Sequence, residues 1–212
     1  MIDLKSMSKK KKAEYIWEYY KLHIIGVLAI IFIVGSIIHG QVTKIDYVFD
    51  LTMIGNSVDQ NKKTNLENQL TNIVIKEGEK RKQAIVDIIP LEGSSKDNST
   101  MSSINMQKVI AKISVGEIDV VILDKGLMES FIKQDMFLRL DNINKLKLAS
   151  IKNEKLEAKG SDNIKAVYAI NAVDIKIFKD MGFDTDNMAI GIISTCKQVD
   201  KAVFVLKWLL NK

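Results

Sequence analysis

Residues 22–39, Leu-His-Ile-Ile-Gly-Val-Leu-Ala-Ile-Ile-Phe-Ile-Val-Gly-Ser-Ile-Ile-His, contain no acid, lysine or arginine. As a helix rising about 1.5 Å per residue they reach about 27 Å, close to the hydrocarbon thickness of a bilayer. A core helix in water keeps a polar stripe, and this stretch has none. A cleaved signal peptide is the other competing reading. Against it, the basic lead-in of residues 1–21 is long, and the nearest small-residue run, Val34-Gly35-Ser36, lies inside the apolar stretch. The stretch therefore reads as a retained signal anchor.

The flanks give the expected orientation. Lys9 to Lys12 precede the span, with Lys5 and Lys21 nearby, and Tyr15, Trp17, Tyr19 and Tyr20 sit where an interfacial aromatic belt belongs. The positive-inside rule places residues 1–21 in the cytoplasm as a basic, aromatic juxtamembrane segment. Residues 22–39 cross the cell membrane once, and residues 41–212 form an extracellular domain long enough for one core. The formal charge of +5 is uneven. Six lysines against Asp3, Glu14 and Glu18 leave +3 on residues 1–40, so the remainder carries only +2. The only arginines are Arg81 and Arg139, and arginine is the residue suited to bidentate phosphate and base contacts. No nucleic-acid partner is expected.

Both histidines, His23 and His39, bracket the apolar stretch. The domain thus lacks histidine general-base chemistry, Ser-His-Asp and Cys-His pairs, and histidine-built zinc sites. Cys196 is the single cysteine and can form neither an internal disulfide nor a CxxC site. A thiol before a helix can be activated, but no partner base accompanies this one, so a structural thiol is the plainer reading. Neither a Walker loop nor a Rossmann glycine pattern occurs, and no cofactor or metal is expected.

Periodicity outlines an α/β domain. Strands are expected at 46–54, 84–89, 118–123, 164–171 and 188–194. Helices are expected at 59–74, 104–115, 126–133, 174–181 and 198–210. Residues 92–103 read as a polar loop with Ser103 as a helix cap, and 141–162 as a lysine-rich, poorly periodic stretch. Alternating strands and helices predict a mostly parallel sheet with helices on both faces.

Three segments carry a resemblance. They are Val115-Gly116-Glu117-Ile118-Asp119-Val120-Val121-Ile122-Leu123-Asp124, Phe131 to Asp141, and Lys201-Ala202-Val203-Phe204-Val205-Leu206-Lys207-Trp208-Leu209. Their order resembles the extracellular solute-binding proteins of ABC importers, the type 2 periplasmic-binding fold. The short stretch between Leu140 and the last strand leaves little room for a second lobe. The resemblance therefore implies one lobe of that fold, anchored by a membrane helix. The lead-in Tyr15 to Ile25 resembles that of membrane proteins of low-GC Gram-positive bacteria.

In open α/β sheets ligands favour the crevice at the carboxyl ends of the strands. The candidate binding residues on that face are Gly55, Asn56, Ser57, Asp124, Lys125 and Ser194. The plainer reading is that they are turns and helix caps, with Asp59 and Asp124 as caps. Asp46, Asp50, Asp119 and Asp124 are the carboxylates available for acid-base or cation chemistry. The expected function is a non-enzymatic, membrane-tethered binding or interaction domain with the lipid bilayer and a membrane protein as partners, the latter such as a transporter. The alternatives are a small-solute receptor with a minimal second lobe and, last, a cell-envelope enzyme.

Overall fold

The computed structural model describes residues 8–76, 78–79, 81–90 and 99–211. The chain divides into two units, residues 1–45 and 46–212.

The first unit is helix α1, Lys9–Thr43. Its 24 residues Trp17–Gly40 are long and apolar enough to cross a membrane, and none of them is buried. The helix outruns the apolar stretch at both ends and takes in the lysine run and the aromatic residues. Tyr19 and Tyr20 meet edge to face with centroids 4.9 Å apart.

The second unit contains β1 (Asp46–Gly55), α2 (Gln60–Val74), β2 (Lys82–Pro90), α3 (Ser99–Val115), β3 (Val120–Asp124) and α4 (Lys125–Ile132). After these come 3₁₀ turns at Leu140–Asn142, Asn144–Leu146 and Leu148–Ser150. The remaining elements are β4 (Lys155–Lys159), β5 (Lys165–Asn171), α5 (Lys176–Asp180), β6 (Met188–Ile192) and α6 (Val199–Leu210). All six strands form one sheet in the order β2-β1-β3-β6-β5-β4. From β1 the chain goes outward to β2 over α2, then back across to the far side of β1 over α3. Right-handed crossovers in opposite directions must put their helices on opposite faces. One core accordingly packs α2, α5 and α6 against Phe49, Leu51 and Met53 of β1. The other packs α3 and α4 against Ile54 of β1, Val121 and Leu123 of β3, and Ala189 of β6.

The sheet is mixed, and the mostly parallel expectation holds for four of its six strand directions. Strands β2, β1 and β3 are mutually parallel, and β5 points the same way, whereas β6 and β4 run against them. The cause is the link from β5 to β6. Residues 172–187 hold only the short α5 and stay at one end of the sheet, where Asn171 pairs with Ala189. Such a link returns the chain antiparallel, because a parallel neighbour needs a crossover traversing the sheet's full height.

Two expectations are corrected. Helix α3 begins at Ser99, so Ser103 lies within it and not at its cap. Of the polar loop expected at 92–103, residues 92–98 lie outside the described residues. The lysine-rich stretch contains strand β4. Lys155, Glu157 and Lys159 flank Leu156 and Ala158, which pack on the second core. Charges on an outermost strand keep other chains from pairing with it and also hide it from propensity reasoning.

The other outer strand, β2, is protected by α2. The Ala84 amide donates to Thr71 Oγ1 at 3.0 Å, and the Val86 amide to Glu67 Oε1 at 3.0 Å. Glu67 also pairs with Lys63 at 2.8 Å. Replacing Glu67 by Ala orphans the amide of a buried residue, which should cost about 1–3 kcal/mol. Denaturant unfolding should show this loss, whereas Lys63→Met should cost no more than about 1 kcal/mol.

Candidate functional site

The strand order reverses between β1 and β3, so the crevice favoured by ligands lies at the ends of those two strands. Gly55, Asn56 and Ser57 leave β1 there, and Asp124 and Lys125 leave β3. The structure brings these five residues to one end of the sheet. Ser194 lies at the other. Because β6 runs antiparallel, Met188 pairs with Asp124 and Ile192 with Val120. Ser194 then stands about 20 Å from the Asp124 end at about 3.3 Å per residue. Its amide donates to Met136 O at 2.9 Å.

The crevice is filled by the protein's own link between α5 and β6. A Cβ on Gly55 would stand 2.9 Å from Phe183 Cε2, so the absent side chain is what lets the Phe183 ring sit there. The Asn56 amide donates to Gly182 O at 2.7 Å, and Asn56 Oδ1 accepts from the Asp184 amide at 2.8 Å. Asp124 caps α4 through Gly126 N at 2.8 Å and Leu127 N at 3.2 Å. Its second oxygen accepts from Asn187 Nδ2 at 2.6 Å. The Lys125 amide donates to Asn187 O at 2.9 Å, and its ammonium lies 3.6 Å from Glu154. Asp59 caps α2 through Asn61 N and Lys62 N. The capping roles of Asp59 and Asp124 are thus observed directly, and the polar groups of Asn56 and Asp124 are committed within the fold.

A second polar constellation sits under α3. Asp50 and Thr52 project into the apolar face that contains Ile54, and Asp50 is 6% exposed. Asp50 Oδ1 accepts from Thr52 Oγ1 at 2.6 Å, and Oδ2 accepts from Lys112 Nζ at 3.0 Å. Lys112 also donates to Asp87 of β2 at 3.0 Å. Burial pushes the Asp50 carboxyl above its ordinary range, and Thr52 and Lys112 pull it only part of the way back. Burial alone would lower Lys112. Asp50 and Asp87 together outweigh it and hold the ammonium above the ordinary lysine value. Lysine reasoning from the sequence missed this residue. The available signals were a charged residue between the buried Val109 and Ile113, and a polar pair at Asp50 and Thr52 in an otherwise apolar strand.

Asp119 and Cys196 adjoin this constellation through the backbone. The Asp50 amide donates to Asp119 Oδ2 at 3.0 Å, and the Asp119 amide to Asp50 O at 3.1 Å. The Cys196 thiol donates to Asp119 Oδ1 at 3.1 Å. Burial, then the hydrogen bond to Asp119 and its negative charge, push that thiol up to about 12. The four carboxylates therefore do not converge. Asp50 and Asp119 meet through backbone amides, Asp124 lies at the far end of β3, and Asp46 is exposed at the start of β1. Among the described residues no group of three or more His, Cys, Asp or Glu side chains could hold a metal ion.

Lys112→Met would leave Asp50 as an uncompensated buried charge, and should cost about 3–5 kcal/mol. Combining it with Asp50→Asn should recover part of that loss. The pH dependence follows from Lys112. Its folded pKa is raised, so its contribution is complete below the unfolded value of about 10.5 and is lost as pH rises through the folded value. Unfolding curves from pH 9 to 12 should fall less steeply for Lys112→Met than for the native chain. For Cys196, a pKa near 12 against an ordinary 9.0 leaves about a thousandfold less thiolate at pH 8. Alkylation should be correspondingly slow in the folded protein, fast in denaturant, and faster in folded Asp119→Asn.

No protein-family model, curated protein or solved structure matches the chain.

Proposed function

We propose that this chain is a membrane-tethered interaction domain, held outside the cytoplasm by α1, that engages a membrane-protein partner and carries out no chemistry of its own. The observation that carries the reading is the filled strand-end crevice. A small-molecule site needs a concave surface with polar groups free to fix the ligand. Here Phe183 packs against Gly55, and the polar groups of Asn56 and Asp124 bond to the link between α5 and β6. A protein partner needs no such cavity, because it spreads its contact over a wide patch.

The resemblance to one lobe of a solute-binding protein is compatible with this. Residues 140–171 supply three turns and a strand pair to the existing sheet. A receptor gains affinity by enclosing its ligand, and one lobe leaves the ligand open to water. The orientation rests on the lysines at the start of α1.

In intact cells, a membrane-impermeant thiol reagent should modify a cysteine placed at Ser161 and spare one at Ser6. The reverse pattern would overturn the extracytoplasmic assignment. The buried, weakly acidic Cys196 keeps the background low. A photo-crosslinker at Lys125 should trap a membrane protein. A saturable small solute bound tighter than about 1 μM by the full chain would replace the interaction reading with a receptor.

A further inference from the structure

The end of the sheet where β1 starts carries features that the strand-end face lacks. We propose that this end is a docking surface for anionic lipid headgroups, so that the domain lies on the membrane that anchors it. The inference rests on α1 crossing that membrane.

Only Lys44 and Ile45 join α1 to β1. Three residue steps of at most about 3.6 Å cannot carry Asp46 more than about 11 Å from Thr43. The apolar span ends at Gly40, one helical turn earlier. The interfacial layer beyond the hydrocarbon is itself about 5–8 Å thick on each side, so the first residues of β1 are confined to the neighbourhood of the headgroups.

What the domain presents there suits that surface. Strands β1, β2, β3 and β5 all start at this end, and α2, α3 and α4 all finish at it. Three of the domain's exposed large apolar side chains lie here: Tyr47 at 55%, Val115 at 60% and Ile164 at 56%. They belong to the start of β1, the last residue of α3 and the residue before β5. Strands β1 and β5 are three sheet positions apart, about 14 Å at about 4.8 Å per strand, so these residues are spaced points on one rim and not a single knob. Tyrosine is a residue favoured at membrane interfaces.

Charge points the same way. Exposed Lys76 and Arg81 lie between α2 and β2, and Lys197 stands beside Gly116. None of the three is in an ion pair among the described residues. Of the described exposed acids at this end, Glu79 pairs with Lys82 at 2.7 Å, Asp162 with Arg139 and Asp200 with Lys145 at 2.8 Å. This leaves Asp46, Glu117 and Asp135 against Lys76, Arg81, Lys197 and the likewise exposed Lys133 at the end of α4. The opposite end exposes five acids, Asp59, Asp174, Asp180, Asp184 and Asp186, against three lysines, Lys62, Lys176 and Lys179. An anionic leaflet attracts the first end and repels the second, which selects one orientation of the domain.

The test uses the full chain in phosphatidylcholine vesicles, with or without phosphatidylglycerol. Environment-sensitive fluorophores are placed singly on cysteines at Glu117 and Ser161, at Asp186 on the opposite end, and at Phe32 within α1. Nitroxide lipids labelled at the headgroup or in the acyl chain act as quenchers. Headgroup nitroxide should quench the Glu117 and Ser161 probes well above the Asp186 probe when anionic lipid is present, and less without it or at high salt. Each of Lys76→Gln and Lys197→Gln should lower the docked-to-undocked ratio about fivefold. The combination Tyr47→Ser, Val115→Ser and Ile164→Ser should lower it further, with the fold checked by unfolding. Equal, weak quenching at Glu117, Ser161 and Asp186 beside a strongly quenched Phe32 probe would overturn the docking surface and leave the anchor standing. An unquenched Phe32 probe would overturn the anchor and, with it, this inference.

Discussion

Strand β1 is buried on both faces, and the rest of the domain is arranged around that demand. Phe49, Leu51 and Met53 enter one core, while Asp50, Thr52 and Ile54 enter the other. A strand sandwiched in this way needs helices above and below it. It also needs partners for any polar atom it carries inward, since an unpaired buried charge costs far more than a hydrogen bond returns. Lys112 supplies that partner and joins α3 to both β1 and β2. No buried side-chain nitrogen or oxygen among the described residues lacks a hydrogen bond.

The same economy governs the sheet's open edges and its functional crevice. Side chains of α2 occupy the outward amides of Ala84 and Val86 on β2, and β4 guards its edge with lysines and Glu157. At the switch point, the link that turns the chain back into β6 also fills the space above Gly55 and binds Asn56 and Asp124. A short link thus has two consequences. It makes β6 antiparallel, and it removes the cavity that a parallel doubly wound sheet would leave at this place.

The two ends of the domain differ in character. The strand-end side is closed by capping carboxylates and paired amides, while the strand-start side exposes Tyr47, Val115 and Ile164 together with basic residues. The filled crevice supports a partner on a broad surface, and the short tether supports a lipid contact. The two proposals concern opposite ends of the sheet and do not compete for the same residues.

Much of the architecture was legible in the residues themselves. The uncharged run at 22–39 announces the long apolar helix, because it is unbroken by proline or charge and carries no polar stripe. The 2.0 and 3.6 periodicities locate β1, α2, β2, β3, α4, β5 and α6 to within a few residues, because burial of one face imposes them. The capping of α2 by Asp59 and of α4 by Asp124 was legible for the same local reason. Strand β4 was not, since its outward side chains are charged and only Leu156 and Ala158 turn inward. The direction of β6 was also hidden, because alternation along a strand is the same in either direction. Only the fold's assembly decided that Ser194 lies away from Asp124, that Lys112 lies between Asp50 and Asp87, and that Phe183 rests against Gly55. Those are contacts between residues far apart in the chain, and local pattern carries no record of which distant segment will fill a given space.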